Sequence, residues 1–363
     1  MDFTFSADQD ALRDAVRSFL ADHAAMDHTR AMAEDSAGVR AEVWARIAEL
    51  GWTGVLVPTE HGGLGLGLVD MVVVMEELGR VCFPGPFLSS AGVATLAARA
   101  LDDADLLRRL ATGVERGTVA LEEAGHGSPV DRVSTRVRRK GADWVATGTK
   151  SMVLDGHTAD FAIVVARTEA GLGSFLLEAP AATETPIIDP TRKVARLELD
   201  ETPVIPLGAD RDHTDLWRRV CDDTGVLLAA ELVGSGEEAN RLAVAYAQAR
   251  VQFGRPLAKF QVLRHKMVDM LHRLELARVG THYAAWTSDV DDPMREQAAA
   301  MCIAEAAEAA VAISGDCIQI HGGVGFTWDC DAHFHYKRAK ANDLLFGQQG
   351  YHRGRVADLV LDG

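Results

Sequence analysis

The sequence predicts an α+β multidomain chain. A helical N-terminal domain covers 1–113, a middle β-barrel or sandwich domain 114–208, and a C-terminal four-helix bundle 212–363. Three observations carry this. Apolar residues recur every three to four positions in both end zones, the period of a helix buried on one face. Between about 114 and 208 the period falls to two, with turn residues separating short runs. A length of 363 residues, 48% apolar and 25% charged, is enough for several domains with large cores.

In the first zone Ser6 caps a helix whose apolar residues Leu12, Val16, Phe19 and Leu20 lie on one face. The stretch LGWTGVLVPTEHGGLGLG (50–67) interrupts the helical period with a short apolar run and a glycine-rich loop. A further helix is expected from about Val69 to Arg80, ended by FPGPF at 83–87. In the middle zone, STRVRRKGADWVATGTK alternates like a hairpin around Gly141, Ala142 and Asp143. DFAIVVAR, GSFLLEA and VARLELDETPVIPL are β-rich runs between turns. The third zone opens with one long helix, from about Thr214 to Val251. A second runs from about Ala258 to Ser288, with Leu263, Met267, Met270, Leu274 and Ala277 on one face. Asp292 and Pro293 supply a cap and a favoured first position for an alanine-rich helix that allows close packing.

Net charge is −16, which argues against a nucleic-acid partner or an anionic membrane surface. Five scattered cysteines without a C-x-x-C pair indicate reduced thiols in a cytoplasmic setting. The first twenty residues carry acidic groups and no long apolar run, so no signal peptide is expected. No uninterrupted apolar run has the length of a membrane span.

GLGLG (63–67) precedes a helix but lacks the strand that a dinucleotide fingerprint requires. Cys330, His333 and His335 are metal ligands by type. Their spacing fits no zinc pattern and the two histidines diverge on a helix, so no metal is expected. YAQARVQFGRPLAKFQ (246–261) puts Arg250 at a helix end, where its fork of donors suits a pyrophosphate, with Phe253 next to it. These residues alone leave two readings open, a phosphate contact and an ordinary helix–helix corner.

Taken together, RVQFGRPLAKFQ, QIHGGVGF, VPTEHGGLG and GTKSMVLDG resemble the acyl-CoA dehydrogenase family of flavoproteins over essentially the whole chain, in the same order. The resemblance implies FAD as cofactor, an acyl-CoA substrate and oxidoreductase chemistry. It makes Arg250 and Phe253 residues that reach the FAD of a neighbouring subunit. Gln319, Gly322 and Gly323 become the segment that approaches the FAD diphosphate across the same interface. The histidines that follow are then helix surface and packing.

The sequence departs from the family where the catalytic base belongs. The reaction removes an α-proton with a carboxylate while the β-hydrogen leaves as hydride to the flavin. The two positions that hold the family's glutamate read Phe346 and Thr224 here, and neither is a base near neutral pH. Asp343, three residues before Phe346, and Glu231, seven after Thr224 on the same helix face, are the carboxylates available to replace it. For both, a surface or interhelical polar contact is the other reading. In the middle domain, LEEAGHGSPV (121–130) keeps Gly127 and Ser128 as flavin contacts. In KSMVLDG (150–156), Met152 and Leu154 replace the expected aromatic and hydroxyl residues. This pattern resembles the non-catalytic subunit of mixed-subunit (α2β2) bacterial enzymes that act on steroid-derived CoA thioesters. The expected function is therefore α,β-desaturation of an acyl-CoA together with a homologous partner. A self-sufficient homo-oligomer with a displaced base, and a flavin-free scaffold, are the alternatives.

Overall fold

A computed structural model describes residues 5–209 and 211–361. They form two compact units, one of 5–29, 72–83 and 225–361, the other of 30–71 and 84–224 without residue 210.

The N-terminal zone contains α1 (Ala7–His23), α2 (Met26–Ala33), α3 (Ala41–Glu49), α4 (Leu68–Arg80), a π-helical turn at Phe87–Ala94, α5 (Thr95–Ala100) and α6 (Ala104–Ala111). Ser6 caps α1 in a reciprocal box. Its Oγ accepts from the Gln9 N–H (3.2 Å) while Gln9 Oε1 accepts from the Ser6 N–H (3.0 Å). Val16, Phe19 and Leu20 are buried; Leu12, at the edge of that face, is half-buried. Gly63 lies against Val57 so closely that a Cβ would sit 2.1 Å from the Val57 carbonyl oxygen. Gly63 is thus a close-packed point, while Leu64 and Leu66 of the GLGLG stretch are exposed.

The middle zone is a seven-stranded sheet, five strands of which close into a barrel. Its strands are β1 (Gly117–Ala120), β2 (Arg136–Lys140), β3 (Asp143–Leu154), β4 (Phe161–Thr168), β5 (Gly171–Glu178), β6 (Thr183–Glu184) and β7 (Val194–Leu207). The order is β1-β4-β2-β3-β7-β5, with β6 on β7, and the β4–β5 pairing closes the ring. β2 and β3 form the expected hairpin, Lys140 opposite Asp143. Alternate residues of the strands, including Val137, Ala146, Val164, Phe175, Leu197 and Leu199, fill the interior.

The C-terminal zone holds α7 (Thr214–Ala249), a short hairpin of β8 (Val251–Gln252) and β9 (Arg255–Pro256), α8 (Gln261–Asp289), α9 (Arg295–His321), α10 (Ala332–Asn342) and α11 (Gln349–Leu361). On α8, Met270, Leu274 and Ala277 are buried, while Leu263 and Met267 are half-buried. α9 begins at Arg295, two residues after Pro293, because the Asp292 carboxylate accepts from the Met294 N–H (2.8 Å) and holds a turn there first. It is long and apolar enough to cross a membrane by length and composition, but 67% of that window is buried inside the protein. α4 and α7 cross at glycines. A Cβ on Gly79 would lie 2.1 Å from the Glu231 carbonyl oxygen, and one on Gly234 would lie 1.8 Å from that of Glu76. This close crossing sets the depth of the Glu231 side chain.

Candidate cofactor and catalytic site

One end of the bundle gathers two of the segments singled out from the sequence, those around Arg250 and Gln319. The Arg250 N–H donates to the Tyr246 carbonyl (2.8 Å), and the Arg250 carbonyl accepts from the Leu257 N–H (2.8 Å). The guanidinium is exposed and has no ion pair among the described residues. Phe253 and Gly254 form the two-residue corner of the β8–β9 hairpin, with φ of 53° and 76°. Positive φ at both corner residues suits the strand twist, and glycine, asparagine or aspartate ordinarily stands at the first of them. Phenylalanine there costs about 1–2 kcal/mol. Its ring is nevertheless 90% exposed, meeting Phe260 edge-on at 6.2 Å. The backbone strain presents an aromatic ring to the outside, with little burial to offset it.

Gln319 is exposed on the last turn of α9. Gly322 ends that helix with φ 63° and ψ −140°, and Gly323 follows; a Cβ on either would meet nothing within 4 Å. The positive φ explains glycine at 322. At 323 the missing side chain leaves bare backbone open to an outside group. Tyr246 stacks on His321 (centroids 4.3 Å apart), and His321 Nδ1–H donates to the Cys317 carbonyl (2.8 Å). These contacts hold the ends of α7 and α9 together. Arg250, Phe253, Gln319, Gly322 and Gly323 therefore share one bundle end, with a cation, an aromatic face and approachable backbone. That set has the chemistry to hold the diphosphate and ring of a dinucleotide.

The base positions are different in kind. Phe346 is buried at φ 52°, and its carbonyl accepts from His352 Nε2–H (3.2 Å). Burial, with Arg355 nearby, pulls His352 down to about 4, so it is neutral and donates. The Thr224 side chain is buried, and its hydroxyl has no partner among the described residues. Asp343 is half-buried, accepting from the Gln349 N–H (3.3 Å). Glu231 is 2% exposed. One oxygen is bound by Arg338 Nη1 and the other by Asn342 Nδ2 (2.8 Å), while Arg338 also donates to the Cys82 carbonyl (3.0 Å). A base must be reached by substrate, and this carboxylate holds a buried guanidinium instead.

In the middle domain, the polar groups of the 121–130 loop largely bond within the protein. Ser128 Oγ accepts from the Asp131 N–H (3.1 Å), and its carbonyl accepts from Arg132 Nε (3.3 Å). Arg132 also binds the Gly125 carbonyl and Glu122. Gly127, at φ 88°, faces open space. Beneath the loop, Glu123 accepts from Lys150 Nζ (2.7 Å), Thr135 Oγ1 (2.7 Å) and the Ser134 N–H (2.8 Å). Burial alone would raise Glu123, but the charge of Lys150 and these hydrogen bonds outweigh it and hold the carboxyl at about 2. Burial brings Lys150 down to about 8. Leu154 is buried, and Met152 is half-buried.

The histidines expected partly on the helix surface are buried. His335 lies between Ser235 Oγ (3.0 Å) and Cys82 Sγ (3.3 Å), and His333 packs against Trp328 and Phe334. Among the described residues no group of three or more His, Cys, Asp or Glu is placed to hold a metal.

Comparison with known proteins decides the family. The acyl-CoA dehydrogenase N-terminal domain matches residues 6–104, and the acyl-CoA dehydrogenase C-terminal domain matches 222–361. Acyl-CoA dehydrogenase IpdE2 of Mycobacterium tuberculosis is 34% identical over 92% of this chain and 91% of its own. The chain belongs to the acyl-CoA dehydrogenase family. Its helical, β and helical order is that family's fold, and FAD-dependent oxidoreduction of acyl-CoA thioesters is that family's chemistry. A variant of the Tcur3481-Tcur3483 steroid ACAD matches with a TM-score of 0.89 at 28% identity, over 98% of each chain. The ChsE4-ChsE5 complex from Mycobacterium tuberculosis matches with a TM-score of 0.88 at 25% identity, over 100% of each chain.

Reading this acyl-CoA dehydrogenase from sequence missed three features of the site. The left-handed backbone at Phe253 was signalled only by the glycine after it. Arg338 as the partner of Glu231 lies 107 residues away. Phe326 and Trp328, just beyond the glycines, are 76% and 64% exposed, and no sequence signal marked them.

Proposed function

We propose that this chain acts in FAD-dependent α,β-desaturation of a steroid-derived acyl-CoA, as the subunit that completes the FAD site of a homologous partner carrying the catalytic glutamate. The observation behind this is the contrast within one chain. The outward-facing elements, Arg250, Phe253, Gln319, Gly322 and Gly323, are intact and exposed, while the base positions hold a buried phenylalanine and a buried threonine. FAD at the joint site supplies the hydride acceptor. This chain's part is to bind and orient. Arg250 would neutralise a phosphate, and the 322–323 backbone and the Phe253 ring would help to hold the cofactor. The partner's carboxylate takes the α-proton. Relatives named as steroid ACAD and as a two-name complex support both the substrate class and the pairing.

The test is co-expression with a homologous reading frame that has glutamate at the position matching Phe346 or Thr224. A colourless chain alone and a yellow co-purified complex are expected. A chain that is yellow by itself and turns over acyl-CoA supports a homo-oligomer using Asp343. A complex that forms without flavin supports a scaffold.

A further inference from the structure

The region around Arg250 is charged in a way that FAD does not account for. Residues 239–268 contain six basic side chains (Arg241, Arg250, Arg255, Lys259, Arg264 and Lys266) and no aspartate or glutamate. The chain has 53 acidic residues in 363, about one in seven, so a run of this length would ordinarily hold several. Taking these six positive charges from the net of −16 leaves −22 on everything else. The basic run is one folded feature: the end of α7, the β8–β9 hairpin and the first turns of α8.

Two of the six are balanced internally, Arg241 by Glu238 (Nε to Oε1, 3.0 Å) and Lys266 by Asp316 (2.5 Å). Arg250, Arg255, Lys259 and Arg264 are exposed and have no ion pair among the described residues. Arg255 lies over the Phe260 ring at 4.1 Å, which steadies it without neutralising it. A dinucleotide diphosphate carries two negative charges, fewer than the four exposed cations in this segment. Uncompensated charge on an interface raises association rates when the facing surface has the opposite sign, and suppresses like-charged partners.

We infer that Arg255, Lys259 and Arg264 form an electrostatic docking surface for an acidic face of the FAD-bearing homologous subunit, guiding it onto Phe253 and Arg250. This rests on the pairing proposed above and adds the chemistry of the partner's surface. It also implies an asymmetry, because a strongly acidic protein that keeps one basic face outward selects an acidic complement there.

The test uses the full chain and the purified homologous subunit at saturating FAD. Association is followed by stopped flow at about 0.05 M and about 0.5 M salt, where screening lengths fall from over 10 Å to a few ångströms. Lys259→Glu with Arg264→Glu should slow association about tenfold or more at low salt, with the difference largely gone at high salt. Flavin content of the assembled complex should stay unchanged, since neither residue is placed against FAD. Lys259→Arg with Arg264→Lys should keep the wild-type rate. Equal rates and equal salt dependence for the charge-reversed and wild-type chains would overturn the docking surface while leaving the pairing intact. A wild-type chain that associates with no such subunit at either salt would overturn both.

Discussion

Phe253 holds a left-handed backbone with its ring in solvent. Phe253→Gly should therefore leave the stability of the isolated chain within about 1 kcal/mol of wild type, because relief of strain and loss of backbone rigidity nearly cancel. Flavin retention by the assembled complex should fall all the same. Thermal unfolding and flavin absorbance together check this; a large loss of stability would make the residue structural. Arg250→Ala removes a charge-assisted phosphate contact, so FAD should bind about tenfold to a hundredfold more weakly (about 1.5–3 kcal/mol), with an unchanged melting temperature for the isolated, FAD-free chain. Glu231 is the opposite kind of residue. Glu231→Gln leaves Arg338 buried without its counter-charge and should cost about 3–5 kcal/mol of stability in denaturant titration. Activity per folded complex should be retained. If activity disappears while stability holds, Glu231 is the base.

At the scale of elements, the clamp of Glu123 and Lys150 fixes the 121–130 loop to β3, and it should be visible in pH dependence. Glu123 is held at about 2 against an ordinary 4.5, so the folded state favours its ionised form. Its contribution is complete above 4.5 and is lost as pH falls toward about 2. Glu123→Gln should be less stable than wild type at neutral pH, and the gap should close below 4.5. Denaturation midpoints across that range measure it; a gap independent of pH would mean the carboxylate charge is irrelevant. The sequence made such elements legible where local signals agreed. β7 alternates with period two and is bounded by turns, and its run matches the observed Val194–Leu207. Ser6 with Gln9 marks the start of α1. It failed where a distant group decides. Asp292 delays α9 past Pro293, the turn after FPGPF continues as a π-helix, and Arg338 removes Glu231 from reach. The special places of Arg250 and Gly322 were legible because a helix end and a positive φ impose local constraints. The strain at Phe253 was hidden because nothing local requires phenylalanine there.

At the scale of the whole molecule, the chain exposes Arg250, Phe253, Gln319, Gly322 and Gly323, while Phe346 and Thr224 are buried. The proposed function is a division of labour: this chain binds and orients, and a homologous chain removes the proton. The direct measurement is single-turnover bleaching of flavin by acyl-CoA under anaerobic conditions, with this chain alone and with its partner. No bleaching is expected from this chain alone, and rapid bleaching in the complex. Replacing the partner's glutamate should slow it by several orders of magnitude, and Asp343→Asn in this chain should have little effect. Bleaching by this chain alone, abolished by Asp343→Asn, would contradict it.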